Sequence, residues 1–365
     1  LKISCQWLYE CLDLKDKIKS PEQLAEILTS RGIEVDQIED LGKNFKKVVT
    51  AKIVKIEPHP NAGQLSLCTV DEGRDDFLKV ICGAKNMKEG DCVALAQIGA
   101  YLPNGMKIEK RKLREVVSYG MLCSEEELGL KEKSDGLFIL PPDTLIGQPL
   151  AKILDQQDVI FHLSPPSNRP DCLSHYGIAR ELGAFFHQPV QLHFTPQKTF
   201  NFCPFQVHLE APTLSPQFFG CYIEGVQIQS SPAWLVHRLE HLGLRSLNNV
   251  VDATQWILLE LGYPVHAYDA DCIQGPNIHV RKSHLGEKLT LLDGQTILLT
   301  GEELVVADKN QPLSLAGVMG GKFSEITEKT TRVFLECAEF HPTWVKRTSQ
   351  RYQLKTLAAD RFSRG

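Results

Sequence analysis

Apolar positions first recur at helical spacing near the start of the chain. Ser20 can cap a helix, Pro21 can open it, and Leu24, Ile27 and Leu28 share one face, so a helix is predicted over 21–30. Gly32 to Val35 then begins a strand, and the first forty residues read as a small α/β unit. From about Phe45 the period shortens to two. Val48 to Ile56 alternates, Pro58 to Gly63 is a turn cluster, and Leu65 to Asp71, Leu78 to Cys82 and Cys92 to Ile98 read as further strands, with a turn at Pro103-Asn104-Gly105. About five short strands within about a hundred residues predict a small closed barrel.

Helical spacing returns afterwards. The run Pro165-Pro166-Ser167-Asn168-Arg169-Pro170-Asp171-Cys172 leads into a predicted helix from about Leu173 to Phe186, and another spans Pro232 to Leu242 with Gly243 as its stop. The most informative stretch runs from Asn249 to Asp269. Asp252 is placed to cap a helix, with Gln255 three residues on as its capping-box partner. Trp256, Ile257, Leu259 and Leu261 supply apolar bulk, Gly262 and Pro264 end the helix, and His266 follows at once in a polar turn. Asp293-Gly294 marks a hairpin, Leu304 to Ala307 reads as a strand, and Gly317 to Gly321 as a loop of small residues. In Val333-Phe334-Leu335-Glu336-Cys337-Ala338 a carboxylate interrupts an apolar strand. It either serves a purpose or faces water from a sheet edge.

Composition narrows the classes. The 365 residues suffice for two or three domains; 42% hydrophobic and 23% charged residues describe an ordinary globular protein rather than a disordered or membrane one. No apolar run reaches the roughly 18–20 residues of a membrane span. The N-terminus, with Leu1 where a start Met is expected, carries no signal-peptide pattern, so a cytoplasmic location is expected. The 11 cysteines form no Cys-x-x-Cys pair and the 12 histidines are scattered, which predicts free, mostly buried thiols and no metal site. A net charge of −5 argues against wrapping nucleic acid with the whole surface. A local patch remains: Lys107, Lys110, Arg111, Lys112 and Arg114, broken by Glu109. It is either a nucleic-acid contact or a solvated strand and turn.

Several ordered blocks resemble a known module. They are Pro58 to Ala62, Cys68 to Asp71, Val80 to Asn86, Ser118 to Ser124 and Glu127 to Leu130. They resemble the tRNA-binding OB-fold domain found in free-standing tRNA-binding proteins, at the tail of some methionyl-tRNA synthetases, and within the bacterial phenylalanyl-tRNA synthetase β subunit. Asn61 and the basic patch then become the expected tRNA contacts. Glu115 stands where that module usually has Gly. The 249–269 stretch, the Asn-Arg-Pro-Asp-Cys element at 168–172, Leu335 to Ala338 and the segment from Thr356 to Gly365 resemble the same β subunit, so the resemblance covers essentially the whole chain. It implies a multidomain α+β protein: a split α/β domain over 1–40 and 149–190, the OB-fold barrel inserted at 41–148, and a tRNA-editing domain over 191–365. The family's β chain would continue beyond Gly365, so the sequence is expected to be a portion of it.

The resemblance also implies chemistry. An apolar pocket built for phenylalanine cannot strongly reject an added hydroxyl, so accurate charging can need a second site that hydrolyses tyrosyl-tRNA(Phe). Glu336 would accept a hydrogen bond from the tyrosine hydroxyl and be left unpaired opposite phenylalanine. His266, in the family's Pro-x-His-Ala-aromatic-Asp pattern, would position water or the terminal adenosine. Thr254 and Gln255, read as the first turn of their helix, would meet a carbonyl or oxyanion; Gly320, Thr356, Ala358 and Arg245 would line or flank the pocket. Gln255 replaces a usual Asn, Leu357 an Asp and Ser363 a Glu. No cofactor is implied for this portion; ATP and Mg2+ belong to the intact enzyme. There an α subunit would carry activation in an assembly of two α and two β chains, with tRNA(Phe) as the other partner. Two alternatives stay open: a tRNA-binding module with a degenerate editing fold, and a purely structural half of the assembly.

Overall fold

The computed structural model describes residues 1–14, 16–191 and 202–365. They form two compact units, one made of Leu1–Ile38 with Ile160–Gly365, the other of Glu39–Val159.

The Glu39–Val159 unit is built on a six-stranded antiparallel sheet. Its long strand Val48–Pro58 pairs with both Cys92–Gln97 and Ser66–Asp71, and shifts register between Ile53 and Lys55. That irregularity bends the strand so that the sheet curls, as a bulge does. Leu78–Cys82 extends one end; Ile139–Leu140 and Gly120–Leu122 both pair with Cys92–Gln97. Tyr119 N–H donates to Lys79 C=O at 2.9 Å and Ile81 N–H to Ser118 Oγ at 3.0 Å, which nearly closes the barrel. Alternate residues of these strands face inward: Ala51, Ile53, Cys68, Val70, Val80, Val93 and Leu95 pack in one core. Strand Cys92–Gln97 is buried on both faces, because Phe45, Ala100, Leu102 and Leu128 cover its outer side. The barrel is an OB-like fold.

The other unit begins with a three-stranded sheet in the order Lys2–Ser4, Val159–Ser164, Glu34–Asp40. Helices Cys5–Cys11, Pro21–Ser30 and His175–Phe186 accompany it. Ser20 caps the second helix by accepting from Gln23 N–H, as its sequence predicts, and Ser174 caps the third. Beyond residue 202 lie a five-stranded sheet and a three-stranded one. The first runs Gln206–Leu209, Asn277–Lys282, Leu304–Ala307, Pro312–Leu315, Met319–Gly320; the second runs Gln217–Glu224, Arg332–Glu339, His266–Asp269. Tyr268, Phe334, Val305, Val306 and Leu315 join them in one core, which also packs Val345 and Ala359 from helices Pro342–Arg351 and Leu357–Arg364. The whole is a mixed α+β protein. Seven of the eleven cysteines are buried and all are free. Among the described residues, no helix is long and apolar enough to cross a membrane.

One capping expectation needs correction. The helix containing Asp252 spans Asn249–Leu261, and its cap is Asn248, whose side chain accepts from Val250 and Val251 N–H at 3.1 and 3.0 Å. Asp252 is fully buried one turn further in. It accepts from Ser231 Oγ and Ser246 Oγ, both at 2.6 Å, and from Leu247 N–H at 2.9 Å. A second Asn just upstream reaches the free donors first, so the carboxylate pins the preceding loop instead.

Candidate functional site

The site is built where the two sheets beyond residue 202 meet. Arg332–Glu339 is the central strand of its sheet, so Glu336 is held between Gly220 on one side and His266 on the other. It is not an edge residue: only 6% of it is exposed. His266 opens its strand directly after the helix Asn249–Leu261, whose Gly262 cap adopts φ +80° and turns the chain into Pro264. Gly320 comes from the other sheet. A Cβ there would stand 2.4 Å from His266 Cε1, so only glycine lets the imidazole lie against this strand.

These residues line a cavity of about 220 Å³, with Pro264, Leu292, Val318 and Ala358 among the walls. Thr356 acts one step back. Its hydroxyl donates to Val318 C=O at 2.8 Å and accepts from Ala359 N–H at 3.0 Å, capping helix Leu357–Arg364 and tying it to the turn at 316–318. Ala358, two residues on, is thereby set in the wall.

Burial decides the electrostatics. It pushes the Glu336 carboxyl up to about 7, partly offset by the hydrogen bond from Tyr268. It pushes His266 down to about 4, so the imidazole is neutral at physiological pH. The fully buried Tyr268 does not stand out in the sequence, yet its hydroxyl donates to Glu336 Oε2. Its oxygen also meets Ser314 Oγ at 2.8 Å; since the phenol has one proton and gives it to Glu336, Ser314 is the donor there. The tyrosine ring stands edge-on to His266 at 4.5 Å. The available signal was alternation: Tyr268 lies two residues after His266 on one strand, hence on the same face. The resulting arrangement is a pocket with one carboxyl held by a relay, one neutral imidazole and a glycine-lined wall. It can bind a small group carrying a hydroxyl donor and position water beside a neutral base.

Thr254 and Gln255 lie in the second turn of their helix, so the reading that placed free first-turn N–H groups beside them is corrected. The Thr254 hydroxyl instead donates to Val251 C=O at 2.7 Å. Thr254, Gln255 and the exposed Arg245 lie outside the residues lining the cavity.

The basic patch Lys107, Lys110, Arg111, Lys112 and Arg114 falls on and just before a hairpin, Arg111–Leu113 with Val116–Ser118. Its two-residue turn puts Arg114 at φ 43° and Glu115 at φ 77°. Both central residues of such a turn need positive φ, a conformation that glycine adopts more readily than the glutamate this chain has at 115. Glu115 pairs with Lys112 at 2.6 Å, and Lys107 with Glu109 at 3.3 Å. Asn61 and Arg114 bond reciprocally: Asn61 Nδ2 donates to Arg114 C=O at 3.2 Å, and Arg114 Nη1 to Asn61 C=O at 3.0 Å. The structure thus joins Asn61 to the basic hairpin. Among the described residues, no group of three or more His, Cys, Asp or Glu side chains is placed to hold a metal ion.

Comparison with known proteins matches both regions. A family model described as "Putative tRNA binding domain" matches residues 48–149, and one described as "B3/4 domain" matches 214–365. The phenylalanine–tRNA ligase β subunit of Anaeromyxobacter dehalogenans is 48% identical over 371 residues, covering 100% of this chain and 46% of the relative. That of Geobacter metallireducens is 44% identical over 367 residues, covering 100% and 45%. A crystal structure of an N-terminal fragment of the phenylalanyl-tRNA synthetase β subunit from Pyrococcus horikoshii is 18% identical. Its TM-score is 0.30, and the match covers 54% of this chain and 62% of the other. The chain spans about half the length of the curated relatives it matches. Over its whole length, the chain belongs to the phenylalanine–tRNA ligase β-subunit family.

Proposed function

We propose that this portion of the β subunit binds tRNA through its barrel unit and hydrolyses tyrosine wrongly esterified to tRNA(Phe) in the Glu336 cavity. The observation that carries the reading is a buried carboxyl, held by Tyr268, in a cavity sized for one small group. At about 220 Å³ it is smaller than the roughly 300–1,000 Å³ of drug-sized ligand sites, in keeping with a single amino-acid side chain. Glu336 selects the substrate phenol and His266, neutral, orients water toward the ester carbonyl. Water adds hydroxide to the carbonyl carbon, the ester C–O bond breaks, and the ribose oxygen of the tRNA leaves with the remaining proton. Charging tRNA(Phe) with phenylalanine, using ATP and Mg2+, is assigned to the whole cytoplasmic assembly of two α and two β subunits.

The test is deacylation of tyrosyl-tRNA(Phe) beside phenylalanyl-tRNA(Phe). Faster release of tyrosine, with the preference lost in Glu336→Ala, is the expected result. Release of neither above the buffer rate, by this chain and by the full assembly alike, would instead support the binding-module alternative.

A further inference from the structure

The basic hairpin does not stand alone on its face of the barrel unit. Two tyrosines accompany it, Tyr101 with 60% of its surface exposed and Tyr119 with 38%. Each carries a lysine ammonium from the patch over its ring: Lys107 lies 6.0 Å from the Tyr101 centroid, Lys110 4.8 Å from that of Tyr119. A cleft of about 140 Å³ opens beside them, with Met106, Ile108, Leu113 and Met121 as apolar walls and Lys107 and Arg111 as cationic ones. Among the described residues, Lys110 and Arg111 have no carboxylate within ion-pair distance, whereas Lys107 and Lys112 each have one.

This combination has a particular ligand chemistry. A charged patch alone would suit the phosphates of any nucleic acid. Exposed aromatic rings interleaved with the cations add nothing to a duplex, whose bases are already stacked. They suit unpaired bases, which have a free face to stack. An acidic protein surface would use the lysines and leave both rings idle.

We infer that this face takes unpaired RNA, its bases stacking on Tyr101 and Tyr119 while Lys107, Lys110 and Arg111 hold the adjoining phosphates. The inference rests on the tRNA-binding reading and narrows it to single-stranded stretches of the ligand. In the free protein each ammonium sits over a ring; on binding, the base takes a ring face and the ammonium turns to a phosphate. The apolar cleft gives a neighbouring base edge a place out of water.

Fluorescence anisotropy with the full chain would test it. The probes are a labelled uridine 12-mer, an abasic ribose-phosphate 12-mer of equal charge, and a 12-base-pair RNA duplex, each over a range of salt. The uridine strand is expected to bind at least about tenfold more tightly than the abasic strand, given the usual strength of base–aromatic stacking. Tyr101→Leu/Tyr119→Leu is expected to abolish that difference and leave the salt slope intact, while Tyr101→Phe/Tyr119→Phe, which keeps the rings, preserves both. Lys110→Gln/Arg111→Gln is expected to weaken all three probes and make the salt slope shallower by about 1.4, at roughly 0.7 for each single-strand phosphate no longer neutralised. Equal, salt-sensitive binding of uridine and abasic strands, or tightest binding of the duplex, would overturn the stacking inference and leave tRNA binding standing. No salt-dependent binding of any probe would overturn both.

Discussion

Among single residues, Glu336 matters most through its ionisation. Its ordinary value is 4.5, and burial raises it to about 7 in the folded chain. Between those values the unfolded chain releases a proton that the folded chain keeps. Stability contributed by the neutral acid is therefore full below about 4.5 and is lost as pH rises through about 7. Denaturant unfolding should show this decline in the wild type and a flatter profile in Glu336→Gln. Selectivity runs the other way. A carboxylate accepts a phenol hydrogen bond more strongly than its neutral acid, so the tyrosine preference should grow from pH 6 to pH 8. Tyr268→Phe removes the hydrogen bond that draws Glu336 downward, so the midpoint of that growth should move to higher pH. A pH–rate profile with an unchanged midpoint in the variant would count against the relay. His266, pushed down to about 4, should add no step to the profile between pH 5.5 and 8. Glu336 and His266 can be singled out in the sequence because a lone carboxylate in an apolar strand and a histidine just past a helix stop are local anomalies. Tyr268 is harder to pick out, because a tyrosine in a strand looks like ordinary core unless its alternation with His266 is followed.

Elements show the same division between local and remote information. The helix Pro21–Ser30 and the barrel strands follow from periodicity and from Ser, Pro and Gly punctuation, all short-range signals. The true role of Asp252 escapes such signals because Ser231, one of its partners, lies about twenty positions away, and spacing does not reveal such pairings. Removing that carboxylate strands several buried donors: Asp252→Ala should destabilise the unit by about 3 kcal/mol, read from urea unfolding. The 111–118 hairpin offers the opposite case. Its turn holds a glutamate in a left-handed conformation that favours glycine, so Glu115→Gly should stabilise the barrel unit by about 1 kcal/mol. It should also tighten RNA binding by releasing Lys112 from its ion pair. A variant that bound RNA more weakly would show that the glutamate, not the turn, matters there.

For the molecule as a whole, the decisive fact is that Glu39–Val159 has cores of its own while the chain on either side of it joins one other unit. The sheet that seats strand Val159–Ser164 between Lys2–Ser4 and Glu34–Asp40 pairs residues more than a hundred positions apart. No local pattern announces such pairing, which is why only family resemblance leads one to expect the split of the first domain. A polypeptide of residues 39–159 should fold by itself, with a cooperative unfolding transition and dispersed amide signals; a broad, uncooperative melt would show that its core is incomplete. The two proposed activities then separate physically: RNA affinity resides in that unit, and ester hydrolysis in the cavity of the other.

Whether the cavity recognises tyrosine through Glu336 can be measured without the tRNA body. The measurement is calorimetric titration of the chain with 3′-tyrosylamino-3′-deoxyadenosine, whose amide resists hydrolysis, beside the phenylalanyl compound. The tyrosyl compound is expected to bind about tenfold more tightly at pH 8, the equivalent of about 1.4 kcal/mol, and Glu336→Ala to erase the difference. Equal affinities for the two compounds in the wild type would contradict tyrosine recognition through Glu336.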